Sequence, residues 1–173
     1  GGISTVEQAR KIISLGAEKV AISNSALNNI ELCQEIGSII GNQSVVVVID
    51  VKKKKLFGGY DIYTHNGTKK SNWKLNDFVE KLEEIGIGEI VFNSIDNDGT
   101  MQGYDIALVE NMRKRCSMPI TLLGGAGTID DIKKLISKFK IIGAAAGSLF
   151  VFKGKYRAVL ISYPNRLERK PLY

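Results

Sequence analysis

The chain has 173 residues, 44% of them hydrophobic and 24% charged, with a formal net charge of +6 and a pI near 9.3. These values suit one globular domain with a real core and exclude a disordered chain. No apolar run approaches the roughly 20 residues that span a bilayer, which excludes a membrane-spanning helix. Gly1 stands where an initiator Met would, so the chain reads as beginning inside a longer one. Cys33 and Cys116 have no metal-like spacing and suit a reducing, cytoplasmic home. The basic balance admits nucleic acid, an anionic membrane surface or phosphorylated small molecules as partners. The charge gathers at Lys52–Lys55 and in the tail from Lys153 to Lys170, and both runs read as solvated. Neither is an aromatic-interleaved stripe of the kind that grips single strands, so nucleic-acid binding is only a third reading.

Taken in chain order, helix-periodic stretches alternate with apolar runs of strand length. Helices are predicted over 4–15, 28–40, 75–86, 104–115 and 128–138, with spacings such as Phe78, Leu82 and Ile85. Strands are predicted at 19–23, 45–51, 89–94, 119–123 and 140–146. These runs are continuous in polarity, as parallel strands covered on both faces should be. One insertion, 56–70, reads as a hairpin turning at Asn66-Gly67. The tail 153–173 reads as a C-terminal extension.

Residues 1–27 repeat in residues 124–150 without a gap: Gly1 falls on Gly124, Gly2 on Gly125, Thr5 on Thr128, Lys11 on Lys134 and Ser25 on Ser148. That is an internal repeat of two related halves, with four βα units to the period. The fold expected is therefore α/β, a (β/α)8 TIM barrel, of which this single domain holds about five units. An unclosed parallel sheet leaves two edges of unpaired N–H and C=O groups. The chain alone is expected to be unstable, to aggregate or to borrow strands from another copy.

Glycines at the ends of strands let backbone N–H groups approach an anion. "GGAG" (124–127) and "AAGS" (145–148) end the last two strands, where barrels commonly hold phosphate. The same glycines also serve tight turns. The repeat places a second candidate pocket at Gly1–Gly2 and Ser23–Asn24–Ser25, and two anion pockets suit an elongated substrate with a phosphate at each end. Asp50 closes the run "VVVVID" at a strand's C-terminal end, where a carboxylate at the edge of a dry core suits general acid or base work. A salt bridge to Lys52 or Lys53, or a strand cap, is the plain alternative. Asp96 and Asp98, in "SIDNDGT", can cap a turn or accept hydroxyls, but no further ligands support a metal. His65 beside the hairpin turn is solvated or touches substrate. Trp73 and Tyr63 read as packing residues. Neither cysteine has a paired base, so nucleophilic catalysis has little support.

The motifs "GAEKVAI", "VVVVIDVK", "GIGEIVFNSIDNDGTMQGYD" and "GGAGT" resemble the cyclase subunit of imidazole glycerol phosphate synthase, over nearly the whole chain to about Phe152. The resemblance implies a (β/α)8 barrel with half-barrel repeats. It implies a lyase-type synthase subunit of histidine biosynthesis that takes ammonia from a glutaminase partner. The substrate is a bisphosphorylated ribulosyl compound, and the products are imidazole glycerol phosphate and an aminoimidazole ribotide. No metal or other cofactor is implied. Residue by residue, it implies that Asp50 is catalytic. Gly2, Ser23 and Asn24 would hold one phosphate, and Asp98, Gly99, Gly124, Gly125, Gly147 and Ser148 the other. Lys19 and Glu89 match a charged ring where ammonia enters, and Glu18 lies at the glutaminase surface. The family's other catalytic aspartate lies on strand one, before Gly1, so this chain alone is expected to be inactive in full turnover.

There are departures from the family pattern. Ser23-Asn24 stands for Asn-Thr, Asn93 for Thr and Leu123 for Ser, which removes two hydroxyl donors beside the second phosphate. The tail is similar to paralogues of surface-polysaccharide gene sets, thought to convert an acetamido sugar into an acetamidino sugar with ammonia. That substrate, and an inactive barrel serving as scaffold or ammonia conduit, are the alternatives to the histidine-pathway reading.

Overall fold

The computed structural model describes residues 2–56 and 58–172; Gly1, Phe57 and Tyr173 lie outside them. The pairing of Gly1 with Gly124 in the repeat therefore rests on sequence. The chain opens with α1 (Val6–Ser14), β1 (Val20–Ile22), α2 (Asn24–Asn28), α3 (Glu31–Ile40) and β2 (Val45–Lys53). An antiparallel hairpin follows, β3 (Tyr60–Thr64) and β4 (Lys69–Lys74), then α4 (Leu75–Ile85), β5 (Glu89–Ser94) and α5 (Ile106–Met112). The last part runs β6 (Ile120–Leu123), α6 (Ile129–Phe139), β7 (Gly143–Ala145), α7 (Ser148–Val151), the two-residue strands β8 (Phe152–Lys153) and β9 (Ala158–Val159), and α8 (Arg166–Arg169).

β1, β2, β5, β6 and β7 lie side by side, parallel, in their order along the chain. That arrangement is the one successive βα units produce. The sheet is open: β1 does not pair with β7. β2 has two partners on one side. Val45–Val47 pair with β1, and Asp50–Lys53 pair antiparallel with β3. This second partner is why β2 continues to Lys53, beyond the predicted end at residue 51.

Burial alternates along the strands. Val45, Val47, Ile49 and Val51 of β2, Ile90 and Phe92 of β5 and Ile120 and Leu122 of β6 are sealed in the core with Ile36, Phe78, Leu82 and Leu108 from the helices. Each such side chain contributes roughly 1.5–3 kcal/mol of burial. The other face carries Val48 and Asp50, Glu89, Val91 and Asn93, Thr121 and Leu123, all half-buried. The strands expected to be covered on both faces are thus fully covered on one.

The boundaries moved where local chemistry intervenes. The predicted helix 28–40 divides, because Asn29 is extended (φ −147°) between α2 and α3. The stretch 104–115 becomes 106–112, because Asp105 caps α5 by accepting a hydrogen bond from Leu108 N–H. The strand expected at 140–146 keeps only 143–145. Lys140 turns at φ 62°, and Arg113 pins Ile141 O at 2.7 Å and Met118 O at 2.8 Å. The insertion's hairpin turns through left-handed His65, Asn66 and Gly67, and its second strand runs on to Lys74.

The repeat is visible in the capping. Thr5 and Thr128 each head a capping box, with Gln8 and Asp131 as the third partners. β1 and β7 occupy equivalent positions of the two copies, 20–22 and 143–145.

Candidate active site

Asp50 stands on the half-buried face of the sheet, in register with Asn93 of β5. Asn93 Nδ2 donates to Asp50 Oδ1 at 2.9 Å. The lysines that could have neutralised Asp50 are engaged elsewhere. Lys53 Nζ lies 3.2 Å from Asp105 Oδ2, and Lys52 Nζ sits 5.9 Å from the centre of the Tyr63 ring. The salt-bridge alternative for Asp50 is therefore not what the side chains do.

A cleft of about 520 Å³ brings Asp50 together with Gly2, Ser23 and Asn24. Ser23 precedes α2 and makes no side-chain capping bond, so its hydroxyl is not spent on the helix. Ser25, the third member of that predicted pocket, instead donates to Ile3 O at 2.6 Å. The hairpin adds Thr64, His65 and Asn66 to the same cleft. By sequence alone His65 is either solvated or in contact with substrate. A lone histidine before Asn-Gly signals a turn, and nothing local says which cleft the turn overhangs. Trp73 packs on Phe78 (5.2 Å between ring centres) and donates Nε1–H to Leu27 O at 3.0 Å, as a packing residue should.

The other predicted anion residues form a different group. Gly124 (φ 98°) and Gly125 (φ 103°) lie against the loop after β5. A Cβ on Gly124 would stand 2.7 Å from Ser94 O, and one on Gly125 would stand 2.0 Å from Gly103 O. Gly103 N–H donates to Gly125 O at 2.7 Å. Close packing of these loops is thus a sufficient reason for both glycines. Asp98 N–H donates to Ser94 O at 2.9 Å and opens the turn through Gly99, whose carbonyl accepts from Arg157 Nη2 at 2.8 Å. Arg157 went unassigned in the sequence. Gly147 precedes the single turn of α7 that begins with Ser148, and a Cβ there would meet open space. None of these residues lines the Asp50 cleft. Asn93 joins the two groups: its Oδ1 is buried without a partner, 3.4 Å from where a Gly124 Cβ would stand.

Lys19 and Glu89 meet at the opposite end of the strands from Asp50, with Lys19 Nζ donating to Glu89 Oε2 at 2.7 Å and Thr121 Oγ1 to Oε1 at 2.5 Å. Burial pulls the Glu89 carboxyl up, but these two hydrogen bonds outweigh it and hold it below the usual carboxylate range. Glu18 is exposed beside Lys19. Burial pushes the Cys33 thiol up to about 12 and the Cys116 thiol up to about 11, so neither supplies a thiolate near neutrality. Among the described residues no cluster of three or more His, Cys, Asp or Glu is placed to hold a metal ion.

A family model described as "Histidine biosynthesis protein" matches residues 1–157. The chain belongs to this family. Within it, the chain is 49% identical over 173 residues to a Leptospira borgpetersenii protein named "Putative imidazole glycerol phosphate synthase subunit HisF", covering all of this chain and 68% of that one. It is 49% identical over 170 residues to the protein of Vibrio vulnificus named "Putative imidazole glycerol phosphate synthase subunit hisF3", covering 98% and 65%. The imidazole glycerol phosphate synthase subunit HisF of Natranaerobius thermophilus is 38% identical over 153 residues, covering 88% and 60%. The chain thus spans about two thirds of the length of these relatives.

Proposed function

We propose that the chain acts as the cyclase subunit of an imidazole glycerol phosphate synthase, its sheet being part of a closed eight-stranded barrel. It takes ammonia from a glutaminase partner. It acts on a bisphosphorylated ribulosyl compound in the cytoplasm, with no cofactor. The observation that carries this reading is the shared cleft: Asp50 opens onto the same space as Gly2, Ser23 and Asn24, in a chain whose relatives bear that name. The relatives' names favour this substrate over an acetamido sugar.

In this reading Gly2, Ser23 and Asn24 hold one phosphate. Asp98, Gly99, Gly124, Gly125, Gly147 and Ser148 hold the other. With Oδ1 committed to Asn93, Asp50 works through Oδ2, taking a proton from the substrate and returning it within one cycle. Lys19 and Glu89 form the ammonia gate at the far end of the strands, and Glu18 belongs to the glutaminase surface. No helix of the described residues is long and apolar enough to cross a membrane.

The test is Asp50→Asn in the complete synthase. Ammonia-dependent turnover should vanish while substrate binding stays nearly intact. Unchanged turnover removes the mechanism. An unmodified protein that binds but never turns over is the scaffold. Turnover only of a nucleotide-linked acetamido sugar identifies the other substrate.

A further inference from the structure

The Asp50 cleft has a property that its proposed ligand does not suit. No lysine or arginine lines it among the described residues, while Asp50 puts a carboxylate there. A phosphate entering such a space meets one negative charge and neutral donors. His65 is the one lining side chain able to become a cation, and it is the chain's only histidine.

The hairpin holds this ring in place. His65 has φ 53°, a left-handed conformation that histidine and asparagine tolerate better than most residues. Its carbonyl accepts from Thr68 Oγ1 at 2.7 Å. Ring atom Nδ1 lies 2.9 Å from Thr64 Oγ1, a side chain only 7% exposed. On the imidazolium Nδ1–H donates to the Thr64 oxygen, whose own proton can go to Lys69 O at 3.3 Å. That assignment leaves Nε2 as the working atom. Protonated, it donates a charge-assisted hydrogen bond.

We infer that His65 is a specificity-determining residue, whose imidazolium Nε2–H supplies the cationic donor to the substrate phosphate lying against Ser23 and Asn24. This rests on the proposed phosphate at that cleft. The charged or titratable groups around the ring are Asp50 across the cleft, Tyr63 with Lys52 over it, and Lys69 opposite Thr64 on β4.

The single histidine makes the test direct, because its ring has one set of nuclear resonances. Inorganic phosphate is titrated into the protein while the His65 ring and the Ser23 and Asn24 amides are followed. All three should move together with one Kd. The affinity should weaken about tenfold in His65→Asn, which keeps the backbone preference and removes the cation, and return in His65→Lys. Amides that move while the ring stays still, with His65→Asn binding as tightly as the wild type, overturn the inference and leave the phosphate site standing. Immobile Ser23 and Asn24 amides overturn the phosphate site itself.

Discussion

Asn93 fixes one oxygen of Asp50, donating Nδ2–H to Oδ1 at 2.9 Å across the β2–β5 register. Hydrogen bonds to a charged group contribute about 1.5–3 kcal/mol. In the complete synthase, Asn93→Ala should lower kcat about tenfold or more, since about 1.4 kcal/mol is a factor of ten, and should leave KM nearly unchanged. Steady-state kinetics with ammonium as nitrogen source measure both. An unaltered kcat would mean that the amide does not position the carboxylate.

Gly143 lies beside Thr121 in the β6–β7 pairing, and a Cβ there would stand 1.8 Å from Thr121 Oγ1. Gly143→Ala must push that hydroxyl off Glu89 or spread the strands. A loss of about 1–3 kcal/mol in urea unfolding is expected. The Thr121→Ala, Gly143→Ala pair should lose less than the sum of the singles, because the first change removes the nearest obstacle and leaves only the residue 121 Cβ at 2.8 Å and Cα at 3.2 Å.

Glu89 yields a pH dependence. Its folded-state carboxyl lies below the usual range, so its contribution to stability is present above the unfolded value of about 4.3 and disappears as pH falls through the folded one. The wild type should therefore lose stability more steeply than Glu89→Gln between about pH 5 and pH 3. At neutral pH the difference should be no more than about 1 kcal/mol, because Lys19 is half exposed and screened. Parallel slopes for the two proteins would show that the network stores nothing.

Asp105 ties the hairpin to α5. Only 4% exposed, it accepts from Tyr60 OH at 3.0 Å and caps Leu108 N–H at 3.4 Å. Burial first, and then the Asp105 charge, push the Tyr60 phenol well above its usual value, so the hydroxyl remains a donor at any ordinary pH. Tyr60→Phe should cost about 1 kcal/mol. Asp105→Ala, which strips the cap and strands the hydroxyl, should cost about 2–4 kcal/mol in thermal or urea unfolding.

Much of this was legible from residue order. The strand expected at 89–94 is found there, and the run of valines ending in Asp50 marked a carboxylate at a strand end. The helix expected over 128–138 is found at Ile129–Phe139. The rest depends on contacts between residues far apart in the chain. Tyr60 meets Asp105 from 45 positions away, and Asn93 meets Asp50 from 43. Nothing within either stretch signals such a partner. His65 entered the cleft because a left-handed turn bends over it. The glycines at 124 and 125 suit an anion by sequence, and their neighbours supply a packing reason as well.

The matched capping boxes at Thr5 and Thr128 mean that two separate stretches begin their helices with the same local wiring and enter their strands at the same offset. Such segments share a frame, though β1 is the more deeply buried of the two strands. Grafting 124–150 in place of 1–27 would preserve the helix start and strand entry while exchanging one set of rim side chains for another. A fold assembled this way can acquire a new ligand preference without first redesigning its frame.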